Sequence, residues 1–117
     1  GLACCLEVSG RTGVAVDVDT LHQAANNHGE KLRGGRKVAG SAWEEKDGLP
    51  MLDYSGQKKD GRPGAHAYAL DADDFLLFLR AARGLDRDVM LEVKNKERSA
   101  LEALSILRHW GQASPRA

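Results

Sequence analysis

The chain has 117 residues, room for one small domain with a modest core. Seventeen Lys and Arg balance seventeen Asp and Glu, so no global positive field advertises nucleic acid or a membrane surface, and any such contact must come from a local patch. No apolar run approaches the ~20 residues of a membrane-spanning helix.

The first segment, Leu2 to about Gly10, reads as a short helix. It carries the two cysteines, Cys4 and Cys5, which are adjacent and so point in different directions on a helix. With no further cysteine, a disulfide framework or a thiolate metal site is not expected; a reducing cytoplasm is, with both thiols as small buried apolar groups. The chain opens on Gly1 rather than Met, as expected of a protein processed or cut from something longer.

Residues 14–19, Val-rich and alternating, predict a strand ending at Asp19. Residues 23–48 are polar and Gly-rich, a loop with at most a ragged helix. "LPMLDYSG" predicts a short strand over 50–54, opening at Pro50, and "QKKDGRPGAHAYAL" a loop carrying Lys58, Lys59 and Arg62. Asp71 then caps a helix over 71–83, with Phe75, Phe78, Leu79 and Ala82 on one face and Gly84 as its stop. A buried strand over 88–93 follows, and a helix over 97–110 with Leu101, Leu104 and Leu107 as its buried stripe. The tail 111–117 is expected to fray.

Strands alternating with helices predict an α/β fold with three parallel strands. In such folds chemistry collects at the carboxyl ends of the strands. Asp19 and His22 follow the first strand, Asp53 ends the second, His66 lies in the loop beyond it, and Glu92 sits late in the third. Glu92 is the most pointed of these, because burying a carboxylate in an apolar run costs several kcal/mol, roughly, without a partner or a metal. The set offers carboxylate oxygens and imidazole nitrogens suited to Mn²⁺, Zn²⁺ or Fe²⁺. Residue by residue, plainer roles compete: Asp17 and Asp19 solvating a strand end, His22 capping a turn, Asp53 as a turn residue, and Glu92 pairing with Lys94.

Three blocks carry a resemblance. "DVMLEVKNKE" (88–97) resembles a signature near the end of the UV-damage endonuclease family; "VDTLHQAANN" (18–27) is similar to one of its strand ends; "MLDYSGQKKDGRPGAHA" (51–67) resembles its segment ending in "RPGAHAD". They come in the family's order and near its spacing, over about residues 10 to 110. The resemblance implies the C-terminal part of a TIM barrel, a single partial domain over 1–117. It implies a metal-dependent DNA repair endonuclease that nicks damaged double-stranded DNA 5′ to ultraviolet photoproducts. Asp19, His22, His66 and Glu92 match the family's metal-ligating positions, with Asp53 standing where the family has a ligating histidine. His66 and Glu92 are then the candidate catalytic groups, and Mn²⁺ the expected cofactor, with Zn²⁺ or Mg²⁺ as alternatives. Lys58, Lys59 and Arg62 are candidate DNA contacts beside that site.

Departures accompany the match. Met51 stands where the family has a lysine near the metals, Gln23 replaces the second histidine of a pair, and Tyr68 stands where aspartate is usual. A TIM barrel takes about 250 residues, so this chain holds under half of one. Two readings follow for the chain taken alone: an inactive C-terminal portion of the repair enzyme, its missing strands encoded upstream or supplied by another chain, or a degenerate, non-catalytic binding or assembly piece. A third, a divalent-metal barrel enzyme acting on sugars, shares the strand-end logic but not the "LEVKNKE" and "GAHA" blocks.

Overall fold

The Val-rich segment ending at Asp19 and the segment opened by Pro50 pair side by side and in parallel in the computed structural model of the chain, with Val18 opposite Leu52 and Asp19 opposite Asp53. The structure describes residues 2–25, 39–40, 42–84 and 86–113. They form two units, Gly1–Tyr54 with Leu85–Met90, and Ser55–Gly84 with Leu91–Ala117.

The first unit is built on the parallel sheet, in the order β1 (Val18–Asp19), β2 (Met51–Tyr54), β3 (Asp88–Leu91). Leu52 and Tyr54 of the central strand are buried at 1% and 3% exposure, and Val18 and Leu21 are also buried, less deeply. β1 is shorter than the expected 14–19. Residues 13–17 make no ladder, Val14 is 66% exposed, and the Val16 carbonyl instead accepts from the Trp43 indole N–H at 2.7 Å. Alternation marks residues that could pair; a strand also needs a neighbour, and β2 starts too late to reach residue 14. β3 likewise stops at Leu91 rather than 93, and Val89 and Met90, expected in the core, are 42% and 49% exposed. β3 follows β2 at the edge of a sheet of three, where a strand has one neighbour.

Helix α1 (Leu2–Thr12) runs past Gly10 and ends where the Gly13 N–H meets the Ser9 carbonyl at 2.8 Å, with Gly13 at φ 74°. Both cysteines are exposed on it, against the expectation that they are buried, because the inward face is held by Ser9. A second helix, α2 (Thr20–Ala25), opens directly from β1, where a loop was expected from residue 23. Residues 26–38 and 41 of that expected loop lie outside the described residues; a 3₁₀ turn, Glu45–Asp47, precedes β2.

The second unit is helical. Asp71 caps α3 (Ala72–Ala81) as expected, its Oδ1 accepting from the Asp74 N–H at 3.0 Å. Phe75 and Phe78 stack with centroids 5.8 Å apart and are buried with Leu79; Gly84 follows at φ 78°. Helix α4 (Glu97–Ala113) packs against α3, but on a different face from the one expected. Ser99 and Ala103 are buried and Ile106 and Trp110 half-buried, whereas Leu101, Leu104 and Leu107 are 68%, 50% and 39% exposed. Small residues let the helices approach, and the Ser99 hydroxyl receives the Leu70 N–H at 2.9 Å, a polar need that leucine cannot meet. α4 continues to Ala113, three residues beyond the expected end; residues 114–117 lie outside the described residues. Among the described residues no helix is long and apolar enough to cross a membrane.

Candidate metal centre

In the first unit the donors gather where β1 and β2 end. Asp19 closes β1 and caps α2: its Oδ1 accepts from the His22 N–H at 2.9 Å. Its Oδ2 lies 2.5 Å from His22 Nδ1, so one carboxylate orients both the helix start and the imidazole ring. Asp19 thus caps a helix rather than merely solvating a strand end, and this coexists with a geometry familiar at metals. A carboxylate at Nδ1 fixes the tautomer of a histidine that ligates through Nε2.

Asp53 is the register partner of Asp19, and each offers a carboxylate oxygen within 4.8 Å of the other. Two like charges at neighbouring positions of a ladder repel. A divalent cation reverses the sign of that interaction, and carboxylate with imidazole is a donor set that Mn²⁺ or Zn²⁺ accepts. The residues present thus fit such an ion. The backbone beneath is held by Thr20, 5% exposed, whose hydroxyl donates to the Asp53 carbonyl at 2.9 Å. Sequence reasoning missed Thr20, because nothing in a lone threonine after a strand marks it as a tie to the next one.

In the second unit His66 and Glu92 face each other. His66 Nε2 lies 3.8 Å from Glu92 Oε2, an ion-pair separation when the ring is protonated and too long for a hydrogen bond. Glu92 falls just past the end of β3 with its side chain 36% exposed, so the cost of a carboxylate sealed in an apolar run does not arise. His66 is placed by an isolated antiparallel bridge to Gln57. Between them the chain folds back on itself, with Lys58 N–H to the Ala65 carbonyl at 2.7 Å and Gly61 N–H to the Lys58 carbonyl at 3.0 Å. Gln57 fastens this loop from inside: its Nε2 donates to the Lys58 and Arg62 carbonyls, and its Oε1 accepts from the Gly64 N–H. That role too went unread, although "Q" before a turn-rich, glycine-bearing run is the kind of signal that could have found it. Lys58, Lys59 and Arg62 are all exposed on the loop. Met51 is half-buried and Tyr68 is 68% exposed.

No family model matches the chain. It is 27% identical over 105 residues to the UV DNA damage endonuclease of Clostridium perfringens (strain 13 / Type A), which covers 88% of this chain and 26% of the relative. The crystal structure of SacUVDE matches it with a TM-score of 0.85 and 36% identity, over 94% of this chain and 36% of that one. The chain therefore spans about a quarter to a third of the proteins it matches. Its fold is α/β, part of a TIM barrel, and across most of its length it resembles the UV DNA damage endonucleases.

Proposed function

We propose that this chain is the C-terminal portion of a metal-dependent endonuclease that nicks damaged duplex DNA 5′ to ultraviolet photoproducts. The observation that carries the reading is Asp19 at a strand end, paired with His22 on one side and facing Asp53 of the parallel strand on the other, in the blocks that resemble the family. Asp19, His22 and Asp53 in one unit, and His66 and Glu92 in the other, are the proposed metal donors, with Mn²⁺ as the first candidate and Zn²⁺ or Mg²⁺ as alternatives. A divalent ion supplies Lewis acidity toward a phosphoryl oxygen and a water of lowered pKa. His22 is kept in one tautomer by Asp19, and His66 and Glu92 are the groups proposed to handle the proton of the attacking water. Lys58, Lys59 and Arg62 are proposed to hold phosphates of the duplex.

Asp53, where the family has histidine, and Met51, where it has lysine, favour a second reading: a piece that binds but does not cut. Both readings predict metal binding, so calorimetry comes first. Mn²⁺ titrated into the wild type should give a weak, saturable heat that falls as the pH is lowered and imidazoles gain protons. His22→Ala and Asp53→Asn should each weaken it at least tenfold, roughly what loss of one ligand contact costs. Equal binding in all three would remove the metal centre from the proposal.

A further inference from the structure

Tyr68 and its neighbours lie outside the donors described above, and they are built as a platform. The Tyr68 carbonyl accepts from the Asn95 N–H at 3.0 Å. The Asn95 side-chain oxygen accepts from the Ser99 hydroxyl, and that hydroxyl, 0% exposed, accepts from the Leu70 N–H at 2.9 Å. One residue before Tyr68, the Ala67 N–H is tied to the Gly56 carbonyl at 2.9 Å. The backbone on both sides of Tyr68 is therefore tied down, while the residue is 68% exposed.

Asn95, the anchor, is flanked by Lys94 and Lys96, both exposed. Their turn is closed by the Lys96 N–H and the Val93 carbonyl at 3.4 Å, with Lys96 in the left-handed region at φ 44°. A single exposed aromatic needs no explanation. One on a hydrogen-bonded backbone whose partner, Asn95, has a lysine on either side in the chain offers what single-stranded nucleic acid uses, a flat face for a base and cations for the adjoining phosphates. We propose that Tyr68, with Lys94 and Lys96, is a stacking contact for an unpaired base of a bound nucleic-acid strand. This deepens the nucleic-acid reading above and rests on it; the metal chemistry is not needed for it.

The test is fluorescence anisotropy with the full chain, in chelator, using a short undamaged oligothymidylate and an abasic strand of equal length. Tyr68→Ala should weaken oligothymidylate binding roughly 5- to 100-fold, the loss of one stacked base, and leave the abasic strand unchanged. Tyr68→Phe, which keeps the ring, should restore binding. Lys94→Ala with Lys96→Ala should weaken both strands and flatten the salt dependence. Equal losses on both strands, no loss in Tyr68→Ala, failure of Phe to restore binding, or a wild type that binds neither strand would each overturn the proposal. A chain that shows the pattern but binds no Mn²⁺ in calorimetry overturns the metal reading and leaves this one standing; the converse result does the opposite.

Discussion

Thr20 is the residue on which the spacing of the two strand-end aspartates depends. Its hydroxyl is buried and spans from the start of α2 to the Asp53 carbonyl, so β1 and β2 are joined beyond the point where their ladder ends. Replacing it with valine keeps the volume and removes the donor, leaving a part-buried carbonyl without that partner. Thr20→Val should therefore lower stability by about 1–3 kcal/mol, read as a shift in the urea midpoint. A change below about 0.5 kcal/mol would mean that water replaces the hydroxyl at no cost. Gln57 offers a parallel case in the second unit, with three hydrogen bonds inside one loop. Gln57→Ala should loosen Lys58 to Gly64, raising amide exchange at Gly64 and Ala65 while the α3 amides keep their protection.

At the scale of elements, α4 separates hydrophobicity from burial. Its leucines recur at a helical spacing and its small residues do too, one turn-face away, and the packing against α3 uses the small ones. Ala103→Leu should overpack the contact and cost about 1–3 kcal/mol, whereas Leu104→Gln, at a half-exposed position, should move stability by less than about 0.5 kcal/mol. The reverse order in thermal melts would put the leucine stripe back inside. Apart from α2, the order of helices and strands was legible from sequence, as were the Asp71 cap and the Phe75–Phe78 face, because capping chemistry and aromatic periodicity act locally. What misled was non-local. Val14 alternates correctly yet has no strand opposite it among the described residues, and Met90 is apolar yet lies on the edge strand. For the candidate site, strand-end position pointed to Asp19, which lies beside His22 and opposite Asp53, while the Thr20 hydroxyl tie carries no pattern and the Gln57 amide shows only as a glutamine before a turn-rich run.

For the whole molecule, the decisive quantity is how much of a barrel is present. The chain matches 26% of one relative and 36% of another, and catalytic residues in barrel enzymes come from the ends of several different strands. Each missing or altered ligand lowers the ion's affinity and the charge it can place on a phosphoryl oxygen. Under the proposed reading, Met51 would contribute no charge where the resemblance implies lysine, and Asp53 would offer an anionic donor in place of a neutral one, which would lower the Lewis acidity of an ion held there. An enzyme that loses groups acting as a unit keeps little of its rate, since such losses are not additive. The purified chain with Mn²⁺ is therefore expected not to nick irradiated duplex above the rate of a Glu92→Gln control. The assay is conversion of irradiated supercoiled DNA to the open circle, with unirradiated DNA alongside. Mn²⁺-dependent nicking confined to irradiated DNA and abolished in Glu92→Gln would show that Asp53 serves in place of the histidine. It would also show that the donors in this chain suffice for the chemistry.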